Sequence, residues 1–268
     1  MRTQSILFAA FIAAVGLISS NNAAHATSYD FYAPNANGGD ATYVVLYSGV
    51  DFVEDAHFFY SGGIVALNRD ISKNGVLLQG FLGTGDYEYQ TTGVPGGNVD
   101  ADLTMIRGMI GYQWFTPGTR IAGYVGFDWQ DHDLNPKDPA NPVAGSEGGF
   151  LVSGEMETVE TKPLYLGLIG QYSTAHDTYW ARARAGYRFG RFVIGPEGVF
   201  LGSVTYDAQR AGGFISVPLN LARDVYFEVT LSGGYQWIGD DNTNGTDFGG
   251  IGGTQDGGYG NIGFSTSF

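Results

Sequence analysis

After Ala26 the chain alternates apolar and polar side chains at a period of two almost throughout, and no segment there reaches even a dozen uninterrupted apolar residues. The clearest stretch puts Val225, Phe227, Val229, Leu231, Tyr235 and Trp237 on one face and Tyr226, Glu228, Thr230, Ser232, Gly234 and Gln236 on the other. A period of two marks extended strands with two unlike faces. A soluble sandwich turns the apolar face inward and a membrane barrel turns it outward, so the alternation alone fits both. It leaves no room for a membrane-spanning helix. A chain of this kind that enters lipid must satisfy its backbone by closing a sheet on itself.

The connections favour the barrel. Strands are expected near 41–52, 57–68, 75–89, 101–115, 120–130, 148–158, 163–173, 179–189, 192–203, 208–219, 225–237 and 257–268. The long connections, 90–100, 131–147 and 238–256, all follow odd-numbered strands, whereas the short ones, 116–119, 190–191 and 220–224, follow even-numbered strands. Outer-membrane barrels sort their loops this way, with short turns on the periplasmic side. The second connection, 69–74, is longer than a tight turn. The last strand alternates Ile262, Phe264 and Phe268 against Asn261, Gly263, Ser265 and Ser267, ending on an aromatic residue. Tyr87, Tyr89, Tyr112, Trp114, Trp129, Tyr179, Trp180, Tyr235 and Trp237 lie near strand ends, where interfacial girdles form. The expected fold is all-β: an antiparallel up-and-down transmembrane β-barrel of about 12 strands over residues 41–268, after a cleaved signal peptide.

The N-terminus carries the export signal. Arg2 precedes an apolar run from Ile6 to Ile18, followed by polar residues and Ala24-His25-Ala26, the three-part pattern of a secretory signal peptide over residues 1–26. Residues 27–40 are then an N-terminal periplasmic segment, and the barrel belongs in the outer membrane. Without residues 1–26 the chain has 12 basic and 27 acidic side chains, a net charge of −15. That balance offers no footprint for nucleic acid. The absence of cysteine excludes disulfides and Cys-based metal or nucleophile chemistry.

Few residues carry chemistry. Tyr179 to Phe189 places Trp180, Arg182, Arg184, Gly186 and Arg188 on one face. With Gly190-Arg191 as a two-residue hairpin turn, Phe189 faces Phe192 and Arg184 faces Glu197. The charges Arg182, Arg184, Arg188, Glu197 and Arg210 are therefore expected to constrict a narrow lumen. His57, His132 and His176 sit at strand ends or in loops and are read as polar loop histidines, because sequence neighbours do not make a triad. Asp240, Asn242 and Asn244 supply the first half of a calcium-loop pattern, but Ile251 stands where the bidentate Glu belongs, so no metal site or cofactor is expected. Asp131, Asp133, Asp138 and Glu147, and Asp240, Asp241, Asp247 and Asp256, are read as solvated outer loops rather than cation bridges between lipid headgroups. Gly249 to Gly253 is read as flexible outer loop, and Tyr87, Tyr89 and Trp129 are available to a glycan without being specific for one.

The run YWARARAGYRFGRFVIGPEGV within residues 173–200, followed by Arg210-Ala211-Gly212-Gly213, together with Tyr60 to Asn68 and Gly85-Asp86-Tyr87-Glu88-Tyr89, resembles the cellulose biosynthesis protein BcsS family of alphaproteobacteria. The resemblance covers most of the chain after residue 26, and Gly195-Pro196-Glu197 after an Arg-rich strand is its most specific part. Arg184, Glu197 and Arg210 match recurrent family positions. The resemblance implies a secreted or outer-membrane protein linked to bacterial cellulose production, with no catalytic site to transfer. The expected function is a non-enzymatic outer-membrane accessory to cellulose biosynthesis or export. Its partners would be outer-membrane lipid and the synthesis or export machinery, or glucan at the outer loops, and not nucleic acid. A porin-like channel for small solutes is the alternative, and a barrel enzyme acting on lipid or glycan the third reading. Membrane fractionation with heat-modifiable gel mobility checks the barrel: outer-membrane recovery and a mobility shift on heating are expected, and a soluble periplasmic protein shows neither.

Overall fold

The computed structural model describes residues 42–159, 162–222, 225–239 and 249–267. The signal-peptide and periplasmic segments expected at 1–26 and 27–40, the calcium-like positions Asp240, Asn242 and Asn244, and the terminal Phe268 lie outside the described residues. Twelve strands follow in chain order: β1 (Val44–Val53), β2 (Ala56–Ala66), β3 (Gly75–Gln90), β4 (Asn98–Thr116), β5 (Thr119–Asn135), β6 (Gly145–Thr158), β7 (Leu164–Ser173), β8 (Tyr179–Phe189), β9 (Phe192–Gly202), β10 (Asp207–Ala222), β11 (Val225–Ile238) and β12 (Gly257–Ser267). Each pairs antiparallel with its chain neighbours, and β1 pairs with β12 from Val45↔Ser267 to Phe52↔Gly260, closing the barrel.

The two faces of the alternation become lumen and wall. In β4, Val99, Leu103, Met105, Arg107 and Gln113 are buried, while Ile106, Ile110 and Trp114, on the alternate positions, are exposed. Val125 and Phe127 on β5, Phe150 on β6, Ile194 and Phe200 on β9 and Leu231 on β11 extend the exposed apolar surface round the outside. In water so much contiguous apolar surface is an aggregation liability. In a bilayer it is the lipid-facing band of a transmembrane barrel, and no helix among the described residues is long and apolar enough to cross a membrane.

The connections make the two ends unlike. Among the described residues, one end, here the turn end, carries 67–74, 117–118, 162–163 and 190–191; the other, the loop end, carries 54–55, 91–97, 136–144, 174–178, 203–206 and 249–256. The connection at 67–74 is the long exception at the turn end. It folds over the mouth: Gln113 Nε2 donates to the carbonyls of Ile71 and Lys73, both at 2.8 Å, and Ile71 is buried among Val45, Leu77 and Met109. The segment expected as a loop over 131–147 is strand at both its ends, because β5 runs to Asn135 and β6 starts at Gly145, and the connection proper is 136–144.

Some girdle expectations hold and others are corrected. Tyr112 packs on Trp114 and Tyr187 on Phe189 near the turn end, and Tyr235 packs on Trp237 near the loop end, all on the outer wall. Tyr87 and Tyr89 instead point inward and are buried, and Trp180 turns to the lumen beside Arg182. Residue parity decides it: Tyr87 and Tyr89 share the face of Leu77 and Phe81, and a buried phenol needs the partners that only the interior supplies.

Glycine makes space for tyrosine across the ladder. Tyr47-Ser48-Gly49 and Tyr60-Ser61-Gly62 run antiparallel, so each tyrosine falls opposite the other's glycine. Gly111-Tyr112 and Gly123-Tyr124 repeat the device, with the Tyr124 ring lying over Gly111 in the lumen. A Cβ at Gly111 would overlap that ring and the Gly123 carbonyl. Gly111→Val is expected to destabilise the barrel by about 1–3 kcal/mol through overpacking, read from urea unfolding in detergent micelles.

Candidate functional site: a lumen bridged by buried ion pairs

Strand pairing projects arginines and carboxylates from neighbouring inward positions, and four arginine-centred ion pairs line the lumen, three between adjacent strands and one from β10 to β1. Arg107 lies directly across the ladder from Asp128; its Nε donates to Oδ1 at 2.9 Å and Nη2 to Oδ2 at 3.3 Å, with Phe81 beneath the guanidinium. Arg120 donates through Nη1 to Glu155 Oε2 (2.8 Å) and Glu157 Oε1 (3.4 Å), and through Nε to Gln113 Oε1 (3.0 Å). Arg184 faces Glu197 and donates from Nε to Oε2 at 2.5 Å, while Tyr259 Oη donates to Oε1 at 3.2 Å. Arg210 reaches from β10 to Asp51 on β1 at 2.7 Å, with its Nε on Gln236 Oε1 at 2.7 Å.

The expected charge set separates into different jobs. Arg184 and Glu197 are both buried and paired, and Arg210, on the neighbouring strand β10, is held over the Tyr259 ring. Arg182 stacks on Trp180. Arg188 is not grouped with Glu197: it binds the carbonyls of Thr158, Lys162 and Leu164, linking the end of β6 to the start of β7 at the turn end. Asp51, Arg107, Arg120, Asp128, Glu155 and Glu157 are further members that the sequence reading omits. One of these pairs is encoded as legibly as Arg184 and Glu197, because reflecting the chain about the two-residue turn Pro117-Gly118 sets Arg107 opposite Asp128.

Between the bridges lies a cavity of about 220 Å³, with Phe58, Tyr60, Phe81 and Met105 on one side and Arg182, Arg184 and Glu197 on the other. At the loop end the stretch Gly249 to Gly253, expected to be flexible, folds with Thr254 into the mouth. Ile251 packs against Phe58, Leu103 and Met105. Gln236 Nε2 donates to the Gly252 carbonyl at 2.5 Å, Thr205 Oγ1 donates to the Gly249 carbonyl at 3.1 Å, and the Thr254 amide donates to Asp55 at 2.7 Å. Gly250 and Gly252 are needed there because a Cβ at either would meet the Tyr206 ring.

The loop-end histidines are also unlike their expectation. His57 stays on the outer face beside Asp86, but His132 and His176 are buried with ring centroids 5.1 Å apart. His132 lies on the inward face of β5, and His176 sits in the 3-10 turn Ala175–Asp177, which the 174–178 connection tucks into the mouth. Burial holds the His176 imidazole below its usual range, against the opposing pull of Glu147 and Asp128. Asp138, expected as a solvated loop acid, is buried and accepts the Tyr89 hydroxyl at 3.1 Å.

A closed antiparallel sheet with an apolar exterior and paired charges within defines an integral membrane barrel of the outer-membrane type. The chain belongs to the cellulose biosynthesis protein BcsS family, whose model matches residues 45–268. No curated protein matches it. Among solved structures it is similar to the KdgM porin, at 10% identity over 84% of this chain and 99% of that one, with a TM-score of 0.44. It is also similar to the β domain of the Bordetella autotransporter BrkA, at 12% identity over 85% and 100% of the two chains, with a TM-score of 0.41. A Pseudomonas aeruginosa FadL homologue is similar at 11% identity over 79% and 66%, with a TM-score of 0.36.

Removing one partner of a buried pair strands the other charge. Glu197→Ala is expected to destabilise the barrel by about 3–5 kcal/mol, whereas the double change Arg184→Met with Glu197→Leu is expected to be close to neutral. Urea midpoints of the two variants, followed by heat-modifiable mobility, check the difference.

Proposed function

We propose that the protein is exported with cleavage of residues 1–26 and serves as a non-enzymatic outer-membrane accessory to cellulose production, its lumen barred to a glucan chain. Membership of the cellulose biosynthesis family supports the process. The observation that carries the barred lumen is the set of arginine bridges, Arg107 to Asp128, Arg120 to Glu155 and Glu157, Arg184 to Glu197, and Arg210 to Asp51, on different parts of the wall. Opening any of them leaves an uncompensated buried charge, which costs about 3–5 kcal/mol. A sugar chain threading the barrel would have to disturb several, and also displace Ile251 from the mouth. The non-enzymatic part is supported by the histidines: His57, His132 and His176 contact Asp86, Tyr87 and Glu147, rather than a Ser or Thr hydroxyl poised for attack. The natural place of action is then the outer wall and the loop-end surface, where lipid and the production machinery are met.

Reconstitution in planar bilayers tests this reading. Silent membranes are expected at protein levels that give open porins discrete steps, and stable, discrete channels would overturn it in favour of the porin-like alternative. In a cellulose-producing host, deletion of the gene is expected to lower extracellular cellulose, and the double Arg184→Met, Glu197→Leu variant to restore it.

A further inference from the structure

We propose that His132 and His176 bind a divalent transition-metal ion of the zinc class at the loop-end mouth of the barrel, through their Nε2 atoms. The proposal does not rest on the accessory role above. The two rings lie edge to face, with centroids 5.1 Å apart and planes at 86°. Two imidazoles bound to one ion at the usual Zn–N length with a tetrahedral angle have centroids about 5 Å apart. The rings therefore already have the spacing that a shared ion demands.

The hydrogen-bonding of the rings points the same way. His176 Nδ1 donates to the Glu147 carboxylate at 2.9 Å, and His132 Nδ1 lies 2.9 Å from Tyr87 Oη. Metal-bound histidines commonly engage their second nitrogen with a carboxylate or another oxygen, which fixes the tautomer and aims the lone pair of the first. Here both remaining nitrogens, His132 Nε2 and His176 Nε2, are buried and without a hydrogen-bond partner. The next inward position of β5 adds a third such atom, Gln130 Oε1, while its Nε2 is held by Asp128 and Thr178. Buried polar atoms left unpaired are rare enough that each calls for an explanation. His176 is also held at φ 51° and Asp177 at φ 49°, a left-handed conformation for two non-glycine residues that turns the imidazole inward toward His132.

Among the described residues no three His, Cys, Asp or Glu side chains converge. The donor set is thus two imidazoles, with the Gln130 amide oxygen nearest in sequence and water for the remainder. Imidazole-rich sites suit Zn²⁺, Ni²⁺ and Cu²⁺ rather than Ca²⁺ or Mg²⁺. Bound there, the ion would fasten the 174–178 connection to β5 across the mouth.

Isothermal titration of Zn²⁺ into the untagged, chelator-treated protein in detergent tests the site. One Zn²⁺ per barrel is expected, weakened at least tenfold by His132→Ala or His176→Ala and about 10- to 100-fold by Glu147→Gln. His57→Ala, on the outer face, is expected to leave the binding unchanged. Should the histidine variants fail to fold, X-ray absorption at the zinc edge of the wild-type protein decides: scattering from two imidazoles supports the site. Absence of Zn²⁺ uptake, equal uptake by the folded double histidine variant, or a zinc spectrum without imidazole scattering overturns it.

Discussion

A peptide group facing hydrocarbon has no water to bond with, so a sheet that spans a membrane must leave no unpaired edge. In this chain that demand falls on the seam between β1 and β12, where residues near the two ends of the described chain meet in register. Closure sets the interior. Once the sheet is a tube, every second residue points into a confined space, and side chains that would be unremarkable on an open surface become neighbours across it. Arg210 and Asp51 are far apart in sequence and on strands separated by the seam, yet they share a hydrogen bond because the tube brings them face to face.

The interior resolves its charge locally. Arginine is suited to the task because one guanidinium can satisfy several acceptors at once. Arg120 serves two carboxylates, an amide oxygen and a phenol, and Arg210 serves a carboxylate and an amide oxygen. The aromatic rings beneath Arg107, Arg184 and Arg210 cover the guanidinium faces that hydrogen bonds cannot reach. The excess of acidic side chains in the composition thus conceals an interior in which each of these arginines has a carboxylate partner.

Much of the architecture is legible from the chain. The alternation gives the strands, and two-residue turns fix the register: Gly190-Arg191 sets Arg184 against Glu197, and Pro117-Gly118 sets Arg107 against Asp128. Where a connection is longer, the register is lost to sequence reasoning, which is why Arg120 and Glu157, joined across the 136–144 connection, cannot be paired in advance. Alternation also separates faces without saying how far a strand rises beyond the membrane. Tyr87, Tyr89, His132 and Asp138 look like interface or loop residues in sequence because they lie near strand ends, but at this end the strands rise around a filled mouth and the inward positions stay buried.

The bond between Thr254 and Asp55 has a kinetic meaning. It joins the connection preceding β12 to the connection following β1, so it straddles the seam on which closure depends. Contacts of such long sequence separation cannot form until the strands between them are in place, and they belong to the late steps of assembly. Interactions made after the rate-limiting barrier slow unfolding more than they speed folding. The inserted loop is therefore a latch as well as a cap: it contributes little to finding the closed state and much to the time the molecule remains in it.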